Sequence, residues 1–370
     1  MEMQVLQNFL SDMNSCDVAF ILGAGASMNS GICKGSVFAY KWLEHLINMA
    51  GIPLDKRFCE LKKKIDDGLL RELNRDNLSK LFDLEDVYDL VCSDFDSRCT
   101  WKMILKILLT GVEQNYFRIA SYLVRQQPEL LQDSILEAMQ GKIASSGYFE
   151  LAKIMQNSSK YSRKNIVITT NFDDLLLQAI YKNFSVRHRT PVVISHRSLA
   201  HQIKLMDITL NPIIFKVHHD FLFEPLNTEY DVLNYSEDVK KALEKLIFNR
   251  VLLVLGYSGA KDNLMEYLIH YDKRLTIYWG YYDNPPTTEK YNELLDSHHN
   301  VIPFKAGDFD GFMEKLSLLL QLDSMGQNNG KRTSEIFNSN TSQNIGSPIL
   351  NTENPIKKKT ARDQLGLERF

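Results

Sequence analysis

Residues 17–31 read DVAFILGAGASMNSG. Val18, Ala19, Phe20, Ile21 and Leu22 form an apolar run of buried-strand length, and Gly23, Ala24, Gly25, Ala26 and Ser27 follow at once. A strand running into a turn of glycine and alanine lets backbone N–H groups approach a phosphate, because no side chain stands in the way. A helix opening near Ser27 would add a favourable field for a diphosphate. The same turn occurs in α/β proteins that bind nothing there, so its meaning depends on what the rest of the chain supplies.

Working outward, the same texture returns from Asn165 onward. Short apolar runs at residues 166–168, 191–194, 212–217, 251–255, 275–279 and 301–304 predict strands. They alternate with amphipathic stretches, at 238–248, 263–271, 288–295 and 312–322 and over Leu175, Leu176, Ala179 and Ile180, that predict helices. Strands alternating with helices predict a doubly wound, Rossmann-like parallel sheet of the α/β class, covered on both faces. Between its first and second strands lies a large insertion, about residues 36–160, whose pattern is almost wholly helical. Segments at 38–49 (Trp42, Leu43, Leu46, Ile47), 61–73, 81–91, 101–124, 130–143 and 148–155 carry the helical rhythm. The strongly apolar 101–124 reads either as the core of a helical bundle or as a lid or oligomer surface. Residues 1–325 form one domain on this reading. From 326 to 370 the composition shifts to Asn, Ser, Thr, Gln and Lys, which predicts a flexible tail with a solvated run at Lys357, Lys358 and Lys359.

Bulk composition narrows the classes. The chain has 370 residues, 44% of them hydrophobic, enough for a sizeable core. A net charge of −3 gives no basic field for nucleic acid. Cys16, Cys33, Cys59, Cys92 and Cys99 are odd in number and form no C-x-x-C pair, which suits a reducing compartment rather than a disulfide framework or a zinc site. The first residues show no secretory pattern, and no apolar run approaches the roughly 18–20 residues of a membrane span. A cytoplasmic protein is expected.

In an open parallel sheet ligands sit beyond the carboxyl ends of the strands. Four such ends carry unusual residues: GAGAS (23–27), TTNFDD (169–174), KVHHD (216–220) and GYSGAKDN (256–263). Each has an ordinary explanation alone. Asn171 suits a turn, Asp173 or Asp174 a helix N-cap, Ser258 another cap, and His218 a hydrogen-bonded strand end. Together they supply backbone donors, an amide, an imidazole and hydroxyls around one crevice, which is what holding a dinucleotide and delivering a nucleophile to its sugar requires.

The four stretches resemble the sirtuin fold family, and more closely its zinc-less, sirtuin-like NAD-hydrolase branch found in prokaryotic antiphage defence. GAGAS with Ser30, Gly31 and Ile32 resembles the family's nucleotide loop, TTNFD its Asn/Asp motif, KVHHD its histidine motif and GYSGAKDN its second nucleotide loop; AGDFDGF (306–312) also resembles that branch. The resemblance covers residues 17–32 and 165–320. It implies cleavage of the nicotinamide–ribose bond of NAD, with NAD as substrate. By resemblance, Asn171 fixes the ribose and the attacking water, His218 acts as base, and Asp173 shapes the pocket. Gly23, Ala24, Gly25 and Ser27 cradle the diphosphate, Gly256, Ser258 and Asn263 hold the adenosine side, and Ala26, Thr170 and Tyr257 also bind the dinucleotide.

Two departures bear on the substrate. Deacylating sirtuins carry a four-cysteine zinc module between the histidine motif and the second nucleotide loop, whereas residues 220–250 contain no cysteine. Cys33, Lys34 and Gly35 stand where deacylases have a Pro-Asp-Phe-Arg run. Both argue against an acyl-lysine substrate, and no zinc is expected. His219 stands where the family has glycine. By register His218 is the base, since adjacent side chains of an extended segment point oppositely, but His219 either crowds the pocket or shares the role. The resemblance further implies an NAD-depleting effector that is silent until a sensor, a partner subunit encoded nearby, or homo-oligomerisation activates it. A non-catalytic module that senses NAD or ADP-ribose is the alternative; protein deacylation or ADP-ribosyl transfer is a lesser one.

Overall fold

A computed structural model describes residues 2–33, 35–49, 63, 104, 107, 108, 112, 116, 119, 120, 122, 123, 128–156, 163–183, 189–195, 197–209, 211–218, 235–259 and 261–326. Among the described residues seven strands pair, all in parallel, in the order β3-β4-β2-β1-β5-β6-β7. They are β1 (Asp17–Leu22), β2 (Ile166–Thr169), β3 (Val192–Ile194), β4 (Ile213–Lys216), β5 (Arg250–Leu255), β6 (Thr276–Tyr281) and β7 (Asn300–Lys305). The described helices are α1 (Glu2–Ser15), α2 (Gly35–Met49), α3 (Pro128–Met139), α4 (Ser146–Gln156), α5 (Leu175–Lys182), α6 (Arg197–Ala200), α7 (Gln202–Leu205), α8 (Glu237–Ile247), α9 (Asn263–Ile269), α10 (Glu289–Leu295) and α11 (Phe309–Gly326). The expected α/β class and doubly wound parallel sheet are what the chain forms.

The strands are buried on both sides, and their period of two divides the apolar residues between two cores. Ala19, Ile21, Ile168, Phe215 and Trp279 face α8, α9 and α10, packing with Leu243, Leu246, Met265 and Tyr291. Val18, Phe20, Leu22, Val167 and Tyr278 face the other way, onto α1, α4, α5 and α11, with Phe9, Tyr148, Leu175 and Met313. Helix α1, which was not expected, thus covers the sheet through Phe9 and Met13. Pro303 sits in the edge strand β7, where a missing N–H leaves no central ladder bond unmade.

The sheet winds outward from β1 in both directions: β2, β3 and β4 lie on one side and β5, β6 and β7 on the other. Strands β1 and β5 therefore flank the topological switch point, where such sheets open a crevice. Pairing sets Leu22 level with Thr169 and Leu255, and Thr169 level with Lys216. The four motif-bearing loops thus leave adjacent strands at one edge.

The turn after β1 departs from expectation. A 3₁₀ helix runs over Ala24–Ser30, opening three residues before Ser27 and closing at Gly31, whose φ of 80° is left-handed. A third apolar cluster gathers Trp42, Leu43, Leu46 and Ile47 of α2 with Ile104, Ile107, Leu108, Ile119 and Leu123, and with Leu131 and Ile135 of α3. Trp42 donates its indole N–H to Ser134 Oγ at 2.7 Å. The described residues of 101–124 are mostly buried against their own neighbours, as a bundle core would be. The expected helices at 61–73 and 81–91 lie outside the described residues, apart from residue 63. The chain divides into two compact units, Met1–Leu320 and Gln321–Phe370. Of the second, residues 321–326 are described, as helix, and the expected flexible tail otherwise lies outside the described residues.

Candidate active site

The loops after β1 and β5 meet backbone to backbone. A Cβ on Gly23 would lie 2.6 Å from Gly256 O, and one on Gly256 would lie 2.3 Å from the Ala26 nitrogen. Gly256 also has a φ of 65°. Close approach is thus what these glycines provide. Gly23 N–H donates to Leu255 O (3.1 Å), Gly25 N–H to Gly256 O (2.9 Å) and Ala26 N–H to Gly23 O (3.0 Å). Of the N–H groups expected to cradle a diphosphate, these three are engaged within the protein. Ala24 is exposed on the rim.

Ser27 is the hub of a polar cluster rising from the α4 side of the sheet. It is 1% exposed. Its hydroxyl donates to Asp173 Oδ2 (2.7 Å), accepts from Asn171 Nδ2 (3.0 Å), and stands 2.7 Å from the Tyr148 hydroxyl. A hydroxyl has one proton and two lone pairs, so with its proton on Asp173 it accepts from Tyr148 and is saturated. Ser27 therefore holds its neighbours and has no hydrogen-bonding capacity left for a phosphate. Asn171 Nδ2 also donates to Gly23 O at 3.0 Å, which fixes the amide's orientation, because a carbonyl accepts only from nitrogen. Asn171 Oδ1, an acceptor, makes no hydrogen bond among the described residues. Asp173 Oδ1 accepts from Leu175 N–H at 3.1 Å, so Asp173, not Asp174, caps α5 with its side chain. Burial raises the Asp173 pKa, opposed by the Ser27 and Leu175 bonds. Thr170 N–H donates to Leu22 O and Asn171 N–H to Thr169 Oγ1, tying this loop to β1 and to itself.

A second cluster rises from the other side. His218 follows β4 and is 6% exposed, and its Nε2 is buried without a hydrogen bond. Burial lowers its pKa to about 4, so the ring is neutral at physiological pH. Its Nε2 lies 3.9 Å from Oδ2 of Asp262, too far for a hydrogen bond. Asp262 caps α9 by accepting Met265 N–H (2.9 Å) and takes the Tyr257 hydroxyl at 2.5 Å. Burial raises its pKa to about 6. Tyr257 stacks near Trp279 at 5.7 Å between ring centroids. Asn263 is buried at the start of α9, and Ser258 is exposed beside it. The touching Gly25 and Gly256 loops connect the two clusters. His219 lies outside the described residues.

Three residues of the site escaped the sequence reading. Lys216, 2% exposed, donates to Phe172 O (2.9 Å) and Asp174 Oδ1 (2.7 Å), pinning the loop that carries Asn171. Asp262 and Lys216 both stand inside quoted motifs, so a charge placed within an apolar or loop setting was the available signal. Tyr148 carried none.

No helix among the described residues is long and apolar enough to cross a membrane. No group of three or more His, Cys, Asp or Glu that could hold a metal occurs among them. Residues 165–299 match the family model described as SIR2-like domain. The match spans Asn171, Asp173, His218, Tyr257 and Asp262 and leaves out the loop at 23–27. No curated protein matches the chain.

Proposed function

We propose that this protein hydrolyses NAD, releasing nicotinamide and ADP-ribose. The observation that carries the reading is the oriented amide of Asn171. Its nitrogen is held by Gly23 O and Ser27 Oγ, which leaves Oδ1 to accept from a ribose hydroxyl or a water at the switch-point crevice. The SIR2-like match over 165–299 supports NAD as the substrate.

The chemistry suits the groups present. The bond between ribose C1′ and the pyridinium nitrogen breaks with its electron pair passing to the ring, so nicotinamide leaves neutral and needs no general acid, unlike ordinary glycoside hydrolysis. A water oxygen then bonds C1′, and its proton passes to neutral His218. A positioned base contributes about 10²- to 10⁴-fold in rate. The cellular role follows the resemblance of the four motifs: a cytoplasmic, NAD-depleting antiphage effector, silent until a sensor or partner subunit, or self-assembly, switches it on.

Release of nicotinamide by the wild type, Asn171→Ala and His218→Ala, each with and without the product of the neighbouring gene, tests this. Both substitutions are expected to lower turnover at least about 10²-fold in folded protein. Full activity in either removes that residue's role. NAD binding without turnover in every sample makes the protein a sensor instead.

A further inference from the structure

His218 Nε2 is a buried ring nitrogen with no hydrogen bond, and the group before it is a carboxylate oxygen, Asp262 Oδ2, at 3.9 Å. Two tautomers of the neutral ring are possible. If Nε2 were the unprotonated nitrogen, its lone pair would face a carboxylate oxygen, which is repulsive. If Nε2 carries the hydrogen, the N–H dipole points at the negative charge. The carboxylate is anchored through its other oxygen, Oδ1, by the Tyr257 hydroxyl and Met265 N–H.

From this arrangement we infer that Asp262 is the positioning residue of His218: it fixes the imidazole as the Nε2–H tautomer, so that Nδ1 is the atom that takes the proton. The inference rests on the hydrolase reading for its catalytic meaning. Nδ1 makes no hydrogen bond among the described residues and, unlike Nε2, is not sealed from solvent. As water adds to the sugar, its proton moves to Nδ1 and the ring becomes an imidazolium with both nitrogens protonated. Asp262 offsets that charge, and Nδ1 afterwards returns the proton to solvent. The charged and titratable groups around the carboxylate are Tyr257 at the end of β5, Tyr235 ahead of α8, and Glu266 one turn along α9. Neither tyrosine ionises near neutral pH, because burial raises both. Of His218, Asp262 and the two tyrosines, His218 and Asp262 are therefore the ones that titrate below pH 7.

The test uses the full chain with ¹⁵N-labelled histidine, as wild type, His218→Ala (to identify the resonance), Asp262→Asn and Asp262→Ser. Asparagine and serine both keep the cap on α9 while removing the charge. Melting temperatures near that of the wild type are the check that they fold. The wild type is expected to show His218 as the Nε2–H tautomer. In both Asp262 variants the tautomers mix and the His218 pKa falls by about one unit or more. Turnover of NAD falls about 10²-fold in kcat with KM little changed, and the loss of rate as the wild type is acidified through about pH 6 disappears. An Nδ1–H wild type, or variants with an unchanged His218 spectrum, overturns the inference. Wild-type kcat and pH profile in Asp262→Asn, alongside inactive His218→Ala, overturns it while leaving the hydrolase reading intact. No turnover in any sample even with the product of the neighbouring gene added, while the histidine spectra behave as expected, supports the tautomer assignment and removes the hydrolase reading instead.

Discussion

At the scale of single residues, Ser27 shows how one hydroxyl organises a site. It takes the proton of Tyr148 and of Asn171 Nδ2 and gives its own to Asp173. Ser27→Ala leaves those three groups each short of a partner in a largely buried setting, where an unmet polar group costs about 1–3 kcal/mol. Urea unfolding is expected to show a loss of at least about 2 kcal/mol, and NAD turnover is expected to fall with it as the Asn171 amide loosens. A loss below about 0.5 kcal/mol would mean that water replaces the hydroxyl, and the hub assignment fails. The sequence singled Ser27 out for the diphosphate side; the bonds its hydroxyl makes were not legible there. Two of them run to Tyr148 and Asp173, which stand 121 and 146 positions away. No local pattern reports a partner at that separation.

At the scale of elements, the glycines after β1 and β5 let two loops touch where the sheet reverses its winding. Gly256→Ala meets both a left-handed φ of 65° and a contact 2.3 Å from the Ala26 nitrogen. Gly141, between α3 and α4, has a φ of 70° but nothing within 4 Å of the added carbon. Gly141→Ala is therefore expected to cost only the backbone term, about 1 kcal/mol, and Gly256→Ala roughly 2–4 kcal/mol with loss of NAD binding. Equal costs in denaturant unfolding would show that the loop contact contributes nothing. Strand positions and their alternation with helices were readable because the strands are short and apolar and amphipathic segments separate them; their order in the sheet was not. Nor was the 3₁₀ helix at Ala24–Ser30, since loop contact sets it, and α1 went unread although Leu6, Phe9, Leu10 and Met13 carry the helical spacing.

At the scale of the whole molecule, acid stability sums over buried groups of opposite sign. His218 titrates at about 4 in the fold against 6.5 ordinarily, so between these values the unfolded chain binds more protons. Its contribution is complete above about pH 6.5 and is lost as pH falls toward 4. His299 shifts the same way, lowered by burial. Asp262 titrates at about 6 against 3.8, so here the native state binds more protons, and its contribution grows as pH falls from 6. The two oppose each other between about pH 4 and 6. Asp262→Asn removes the compensating term, and its stability is expected to fall more steeply than the wild type's from pH 6 to 4 in denaturant titrations. Parallel profiles would show that the pair does not titrate as the burial of both groups requires.

The chain by itself determined the α/β class, the winding of the sheet and the strand ends where chemistry collects, because apolar period and turn residues act over a few neighbouring positions. Which side chains meet there was decided only in three dimensions. Register brings Leu22, Thr169, Lys216 and Leu255 level, and only then do Tyr148, Lys216 and Asp262 come to hold Asn171 and face His218. Hydrogen bonds reach about 3 Å, and the distance along the chain places no limit on which groups come that close.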